Sequence, residues 1–108
     1  MPRWCWGYKK TGRGRPYSWL FLSSLPKVKE FVPRPLLNRE PIELSYPEYE
    51  VLRLIDLQNL TQEETAKKMN TSRGTVWRLL QSARKKVTQA LVDSRPLIVL
   101  PKGEVKKV

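Results

Sequence analysis

Apolar positions in the middle of the chain recur with the period of a helix. Val51, Leu52, Leu54, Ile55 and Leu57 form one stripe that ends near Asn59. Ser45-Tyr46-Pro47-Glu48 precedes it as a capping box, with the hydroxyl placed for the free first-turn amides and proline tolerated there. Thr61-Gln62-Glu63-Glu64 repeats the device and opens a short helix to about Met69. Asn70-Thr71 then makes a turn, and Ser72 caps a third helix. There Val76, Leu79, Leu80, Ala83, Val87, Ala90 and Leu91 keep helical spacing to about Val92. Pro96 stops that helix, Leu97 to Leu100 reads as a buried strand, and Lys102 to Val108 reads as a frayed basic tail. Six prolines up to Pro41 exclude a long helix from the first segment, where only Lys27 to Val32 alternates like a short strand. The pattern predicts a mainly α protein. Residues 1–41 form a basic, proline-containing amino-terminal arm, 42–93 a three-helix domain, and 94–108 a short carboxy-terminal strand and basic tail.

Helices two and three satisfy the constraints of a helix-turn-helix. Ala66 falls where two helices cross closely, and Asn70 falls where the turn needs a left-handed residue. Met69, Val76 and Leu79 point inward, as do Thr65 and Thr71 through their methyls. A plain helical hairpin in a bundle is the competing reading; the two capping boxes, the short turn and the charge favour the first.

That charge is large. Lys and Arg number 21 against 10 Asp and Glu, a net of +11, which attracts polyanions and says little about fold. Residues 1–39 hold nine basic groups and one acid, whereas residues 40–60 hold Arg53 against Glu40, Glu43, Glu48, Glu50 and Asp56. An acidic first helix between basic segments fits a DNA-binding module with one face turned from the phosphates. The chain has no histidine and one cysteine, Cys5. This rules out an intrachain disulfide and an ordinary Cys/His zinc site, and it removes the usual general base. We therefore expect no catalytic residues, no metal and no cofactor, and read the chain as a binding protein rather than an enzyme. No apolar run exceeds four residues, far below the roughly 20 of a membrane span. A cytoplasmic, nucleoid-associated location is the expectation.

Leu54-Ile55-Asp56-Leu57-Gln58-Asn59-Leu60-Thr61-Gln62-Glu63-Glu64-Thr65-Ala66, with Ser72-Arg73-Gly74-Thr75-Val76 and Ala83-Arg84-Lys85-Lys86-Val87, resembles the helix-turn-helix of sigma factor region four. The chain looks closer still to a small family of uncharacterised archaeal and bacterial predicted DNA-binding proteins. In these a basic, proline-containing segment precedes a Glu-x-x-x-Leu-Arg-Leu-x-Asp helix, resembled here by Glu50-Val51-Leu52, Arg53, Leu54 and Asp56, with the Glu placed differently. The likeness spans roughly residues 41–93. The stretch from Trp4 to Leu22 departs from the pattern, and its cysteine-containing start is reduced to Cys5. The resemblance implies double-stranded DNA binding and transcriptional regulation.

On that reading the third helix, about residues 73–92, enters the major groove. Arg73, Gly74, Thr75, Trp77, Arg78 and Gln81 meet base edges, with packing under the amino-terminal arm an equal reading of Trp77. Arg73 or Arg78 suits a guanine, Gln81 an adenine, and Thr75 a thymine methyl. Thr61, Gln62, Ser72, Arg84 and Lys85 are the expected phosphate contacts, with Lys86 beside them. Gly12-Arg13-Gly14-Arg15-Pro16 matches the AT-hook pattern, in which Arg13, Gly14 and Arg15 lie in a narrow minor groove. A generic basic arm is an equal reading of those residues. Trp4, Trp6, Tyr8, Tyr17, Trp19 and Phe21 suit either stacking on single strands, DNA or RNA, or a fold-back that enlarges the core; the second is favoured.

Two partner expectations complete the reading. Val87, Ala90 and Leu91 run past what a three-helix core covers, and Leu97 to Leu100 needs a neighbour. That neighbour is Ile42 to Leu44, the Val28 segment or a second copy, and a homodimer through these residues is expected. The acidic face with Glu48 and Asp56 suits contact with RNA polymerase. An architectural nucleoid protein with weak sequence preference stands as the alternative to a regulator.

Overall fold

The computed structural model of the protein describes residues 3–7 and 19–108. Its helices start at the caps named above. Helix α1 (Tyr46–Val51) begins at Ser45, whose Oγ accepts from the Glu48 amide while the Glu48 carboxylate accepts from the Ser45 amide at 2.8 Å. Thr61 and Glu64 make the same reciprocal pair for α2 (Gln62–Met69). Ser72 Oγ accepts from the Thr75 amide at 3.1 Å and opens α3 (Arg73–Asp93). Asn70 closes α2 in the left-handed conformation, φ 57° and ψ 48°, which asparagine tolerates better than most residues. One feature has no counterpart in the pattern. After Val51 the first helix widens into a π-helix, Leu52–Leu57, and the Gln58 amide donates to the Arg53 carbonyl five residues back at 3.0 Å.

Among the described residues six strands accompany the helices: β1 (Trp4–Gly7), β2 (Leu20–Leu22), β3 (Glu30–Phe31), β4 (Ile42–Ser45), β5 (Leu97–Leu100) and β6 (Glu104–Lys107). They form two three-stranded sheets, ordered β2-β1-β6 and β3-β5-β4. The first is antiparallel throughout; in the second, β5 runs antiparallel to β3 and parallel to β4. The fold is therefore α/β, and the expectation of a mainly α protein with one short carboxy-terminal strand is corrected. Two segments account for the difference. The stretch expected as an arm supplies β1 and β2, and the tail expected to fray is β6, paired along β1 with Val105 opposite Trp6. β1 and β6 are hidden from a local reading because each pairs with the opposite end of the sequence. Gly103 lets this corner close. A Cβ there would sit 2.7 Å from the Trp6 ring and 2.8 Å from the Gly7 carbonyl.

Sheet and helices share one core, in which Trp6, Leu20 and Leu22 pack with Val51, Leu54, Met69, Val76 and Leu80. The fold-back of Trp19 to Leu25 thus places Leu20 and Leu22 inside. A second cluster of Leu44, Ala83 and Val99 joins β4 and β5 to α3. β5 is a middle strand with both edges occupied, by β4 and β3, so Leu97 to Leu100 does not pair with a second copy. Two carboxylates expected on an acidic surface lie inside. Glu48, 4% exposed, accepts from Ser82 Oγ and from Lys86 Nζ at 2.9 Å. Glu50 accepts from the Ser23 amide at 2.8 Å and from the Arg53 guanidinium at 3.1 Å. They tie α1 to α3 and to the segment after β2, so these two carboxylates are not exposed on the surface. Among the described residues no helix is long and apolar enough to cross a membrane.

Candidate nucleic-acid interface

A helix of 3.6 residues per turn that buries Val76, Leu80 and Ala83 must turn the opposite stripe outward. In α3 that stripe holds Arg73, Gly74, Trp77, Arg78, Gln81, Arg84 and Lys85, all exposed. Five of the six residues expected at base edges thus share one face over the first turns. Thr75 does not; it is half-buried and its Oγ1 accepts from the Ser72 hydroxyl at 3.0 Å. Trp77 is 51% exposed, so it is not packed away under the described part of the chain. Gly74 stands in open space, where an added Cβ would find only Ser72 Oγ, at 4.0 Å.

The expected phosphate contacts separate into two groups. Thr61 and Gln62 at the start of α2 line a cleft of about 460 Å³ together with Glu63, Arg73 and Trp77. The first turns of α2 and α3 therefore open onto one depression, with the Glu63 carboxylate at its border. Thr61 and Ser72 use their hydroxyls as caps. Farther along, Arg84 is already engaged. Its guanidinium grips Asp56 through two hydrogen bonds, of 2.6 and 3.1 Å, and clamps α3 to the π-helix. The Arg84 hydrogen bond outweighs partial burial and holds the Asp56 carboxyl below its usual range, while Arg84 is raised in return. Lys86 is spent on Glu48. Among the described residues Arg73, Arg78 and Lys85 enter no ion pair, which leaves three uncommitted cations on the outer stripe.

Arg13, Gly14 and Arg15 lie outside the described residues. The described chain resumes at Trp19, whose carbonyl accepts from Asn70 Nδ2 at 3.2 Å, beside the turn that leads into α3. The nearby aromatic rings are occupied: Arg3 lies 4.8 Å from the Phe21 centroid and Lys106 5.1 Å from that of Trp19. Trp6 is buried in the core, and Tyr8 and Tyr17 lie outside the described residues.

A family model described as "Protein of unknown function DUF134" matches residues 1–108. The chain belongs to the DUF134 family. A UPF0251 protein of Pyrococcus furiosus is 47% identical over 106 residues, covering 95% of this chain and 92% of the relative. One from Archaeoglobus fulgidus is 34% identical over the full length of both chains. A bacterial relative from Desulfitobacterium hafniense is 41% identical over 85 residues, 77% of this chain and 68% of its own. No solved structure matches the chain.

For this DUF134 member the sequence reading missed two parts of the surface. Lys67 and Lys68 are exposed in the last turn of α2, just before the turn to α3. The basic pair was visible in the sequence, and the burial of Thr65, Ala66 and Met69 turns it to the surface. The π-helix, which puts Asp56 within reach of Arg84, has no signature in the apolar spacing. Among the described residues no group of three or more His, Cys, Asp or Glu is placed to hold a metal ion.

Proposed function

We propose that this DUF134 protein is a sequence-reading double-stranded DNA-binding protein, a transcriptional regulator that works on the chromosome and catalyses nothing. The observation that carries the reading is the outer stripe of α3. Arg73, Trp77, Arg78 and Gln81 stand exposed around Gly74, with both arginines uncommitted. On this reading α2, the Asn70 turn and α3 act as a helix-turn-helix of the sigma region-four kind. The first turns of α3 lie in the major groove, and a phosphate sits near Thr61, Gln62 and the start of α3. On the same reading Arg13, Gly14 and Arg15, which precede the described residue Trp19, bind the adjacent minor groove. A net charge of +11 supports nucleic acid as the partner under this reading.

The experiment is selection of sites from a random duplex pool at about 150 mM salt, where the Debye length is about 8 Å and loose binding is suppressed. An enriched motif is expected. On that motif Arg73→Ala and Arg78→Ala each cost about 1–3 kcal/mol and relax preference at one position, whereas Lys85→Ala weakens all sequences alike. Enrichment for A/T content alone, with three uniform losses, would replace the regulator with an architectural nucleoid protein.

A further inference from the structure

On the side of the molecule formed by β3, the π-helix and the second half of α3, the chain leaves an apolar groove of about 730 Å³. Leu44, Leu52, Val87, Ala90, Leu97 and Val99 are among its lining. Its rim carries Phe31, Val32, Leu57 and Leu91, exposed by 63%, 58%, 75% and 78%. Large apolar side chains exposed together around a concavity mark an interaction surface. Two further features point to the same place. The π-helix, an irregularity frequent at functional sites, carries Leu57 at the lip. Helix α3 also continues for three turns past Ala83 and brings Val87, Ala90 and Leu91 to this groove.

We propose that a second copy of this chain covers the groove about a two-fold axis. The surface supplies both halves of such a contact, with projecting Phe31 and Leu91 beside a hollow, as an isologous interface requires. Glu30 and Arg34, of opposite sign and both exposed, flank Phe31 and Val32, so two copies meeting in opposite directions set unlike charges against each other. Area agrees. Taking roughly 150–200 Å² for a fully exposed side chain of this size, the four rim residues leave on the order of 450 Å² uncovered in each copy. Pairing removes about 900 Å² before any lining residue is counted, and a specific interface needs about 1,000 Å².

The arrangement has a consequence that rests on the DNA-binding reading. Trp77, at the centre of the outer stripe, lies about 21 Å along α3 from Leu91 at 1.5 Å per residue. Two such helices meeting near Leu91 hold their reading ends at most about 42 Å apart. A moderate inclination brings them to the roughly 34–36 Å of one DNA turn.

Sedimentation velocity of the full-length chain without DNA, from about 5 to 100 µM, tests the interface independently of any nucleic acid. A dimer is expected, and Leu91→Arg and Phe31→Asp should each weaken it at least tenfold with unchanged circular dichroism. A monomer throughout the range, or a dimer that neither substitution weakens, overturns the proposal. A monomer that binds an apolar dye lost on Leu91→Arg overturns it too, and marks a groove for a different partner. The DNA reading is scored separately: a dimer that selects no motif keeps the interface and removes the spacing argument.

Discussion

Replacing Gly74 with alanine should raise stability and lower DNA affinity at once. Gly74 is the second residue of α3, and an added Cβ meets nothing closer than Ser72 Oγ at 4.0 Å, an ordinary contact. The folded chain therefore accepts the methyl, and alanine is favoured over glycine in a helix by up to about 1 kcal/mol, less in a first turn. A gain of about 0.5–1 kcal/mol corresponds to a rise of roughly 2–6 °C in the melting temperature of a domain this size. If the backbone at Gly74 approaches DNA, the same methyl overpacks that contact, at a cost of about 1–3 kcal/mol or roughly 5- to 150-fold in Kd. Scanning calorimetry and fluorescence anisotropy on the selected duplex read the two effects separately. A destabilised protein could lose both together, but only a direct contact gives opposite signs. An affinity unchanged within twofold would remove Gly74 from the interface, and a lower melting temperature would refute the account of its open surroundings.

Thr65 Oγ1 is fully buried and has no hydrogen-bond partner among the described residues, so Thr65→Val should stabilise the fold by about 0.5–2 kcal/mol in urea unfolding. A loss would reveal a partner for the hydroxyl. Burial alone would raise the Glu48 carboxyl, but the Ser45 amide, Ser82 and Lys86 together hold it below its ordinary value of 4.5. Its contribution to stability is then fully present above about pH 4.5 and lost as the pH falls through the folded value. Glu48→Gln should cost about 1–3 kcal/mol at pH 7 and flatten the acid limb of melting temperature against pH; parallel curves for the two proteins would contradict this. Asn70→Ala gives up both the left-handed tolerance and the hydrogen bond to Trp19, and should cost about 1–2 kcal/mol, with Asn70→Gly costing less. Equal losses would show that the hydrogen bond alone matters.

What the chain discloses before folding is what depends on near neighbours. Ser45 with Glu48 and Thr61 with Glu64 announce helix starts because each pair closes over three residues. Asn70 announces the turn for the same reason, and the outer stripe of α3 follows from its period. The sheets answer to a different physics. Glu104-Val105-Lys106-Lys107 offers one apolar residue among charges, and its pairing with Trp4 to Gly7, with Val105 opposite Trp6, makes it a strand. Glu48 and Glu50 look like surface acids until Ser82, Lys86 and Ser23, each at least 27 positions away, are brought beside them. The candidate interface was legible because it lies on one helix. Its limits were not, since the withdrawal of Arg84 by Asp56 depends on a helix that widens without any cue in its spacing.

The pairing of β1 with β6 also governs the order in which the protein assembles. It joins Trp4 to Lys107, roughly a hundred positions away, and the entropy of closing so long a loop falls on a ladder of four residue pairs. The two capped helices and their turn close over a few residues each and form before that ladder does. Trp6 then waits for Val105, its partner across the ladder, until the final segment arrives. Pulse-labelling hydrogen exchange during refolding should protect the amides of α2 and α3 first and those of β1 and β6 last. Simultaneous protection would mean that the long-range ladder belongs to the nucleus itself.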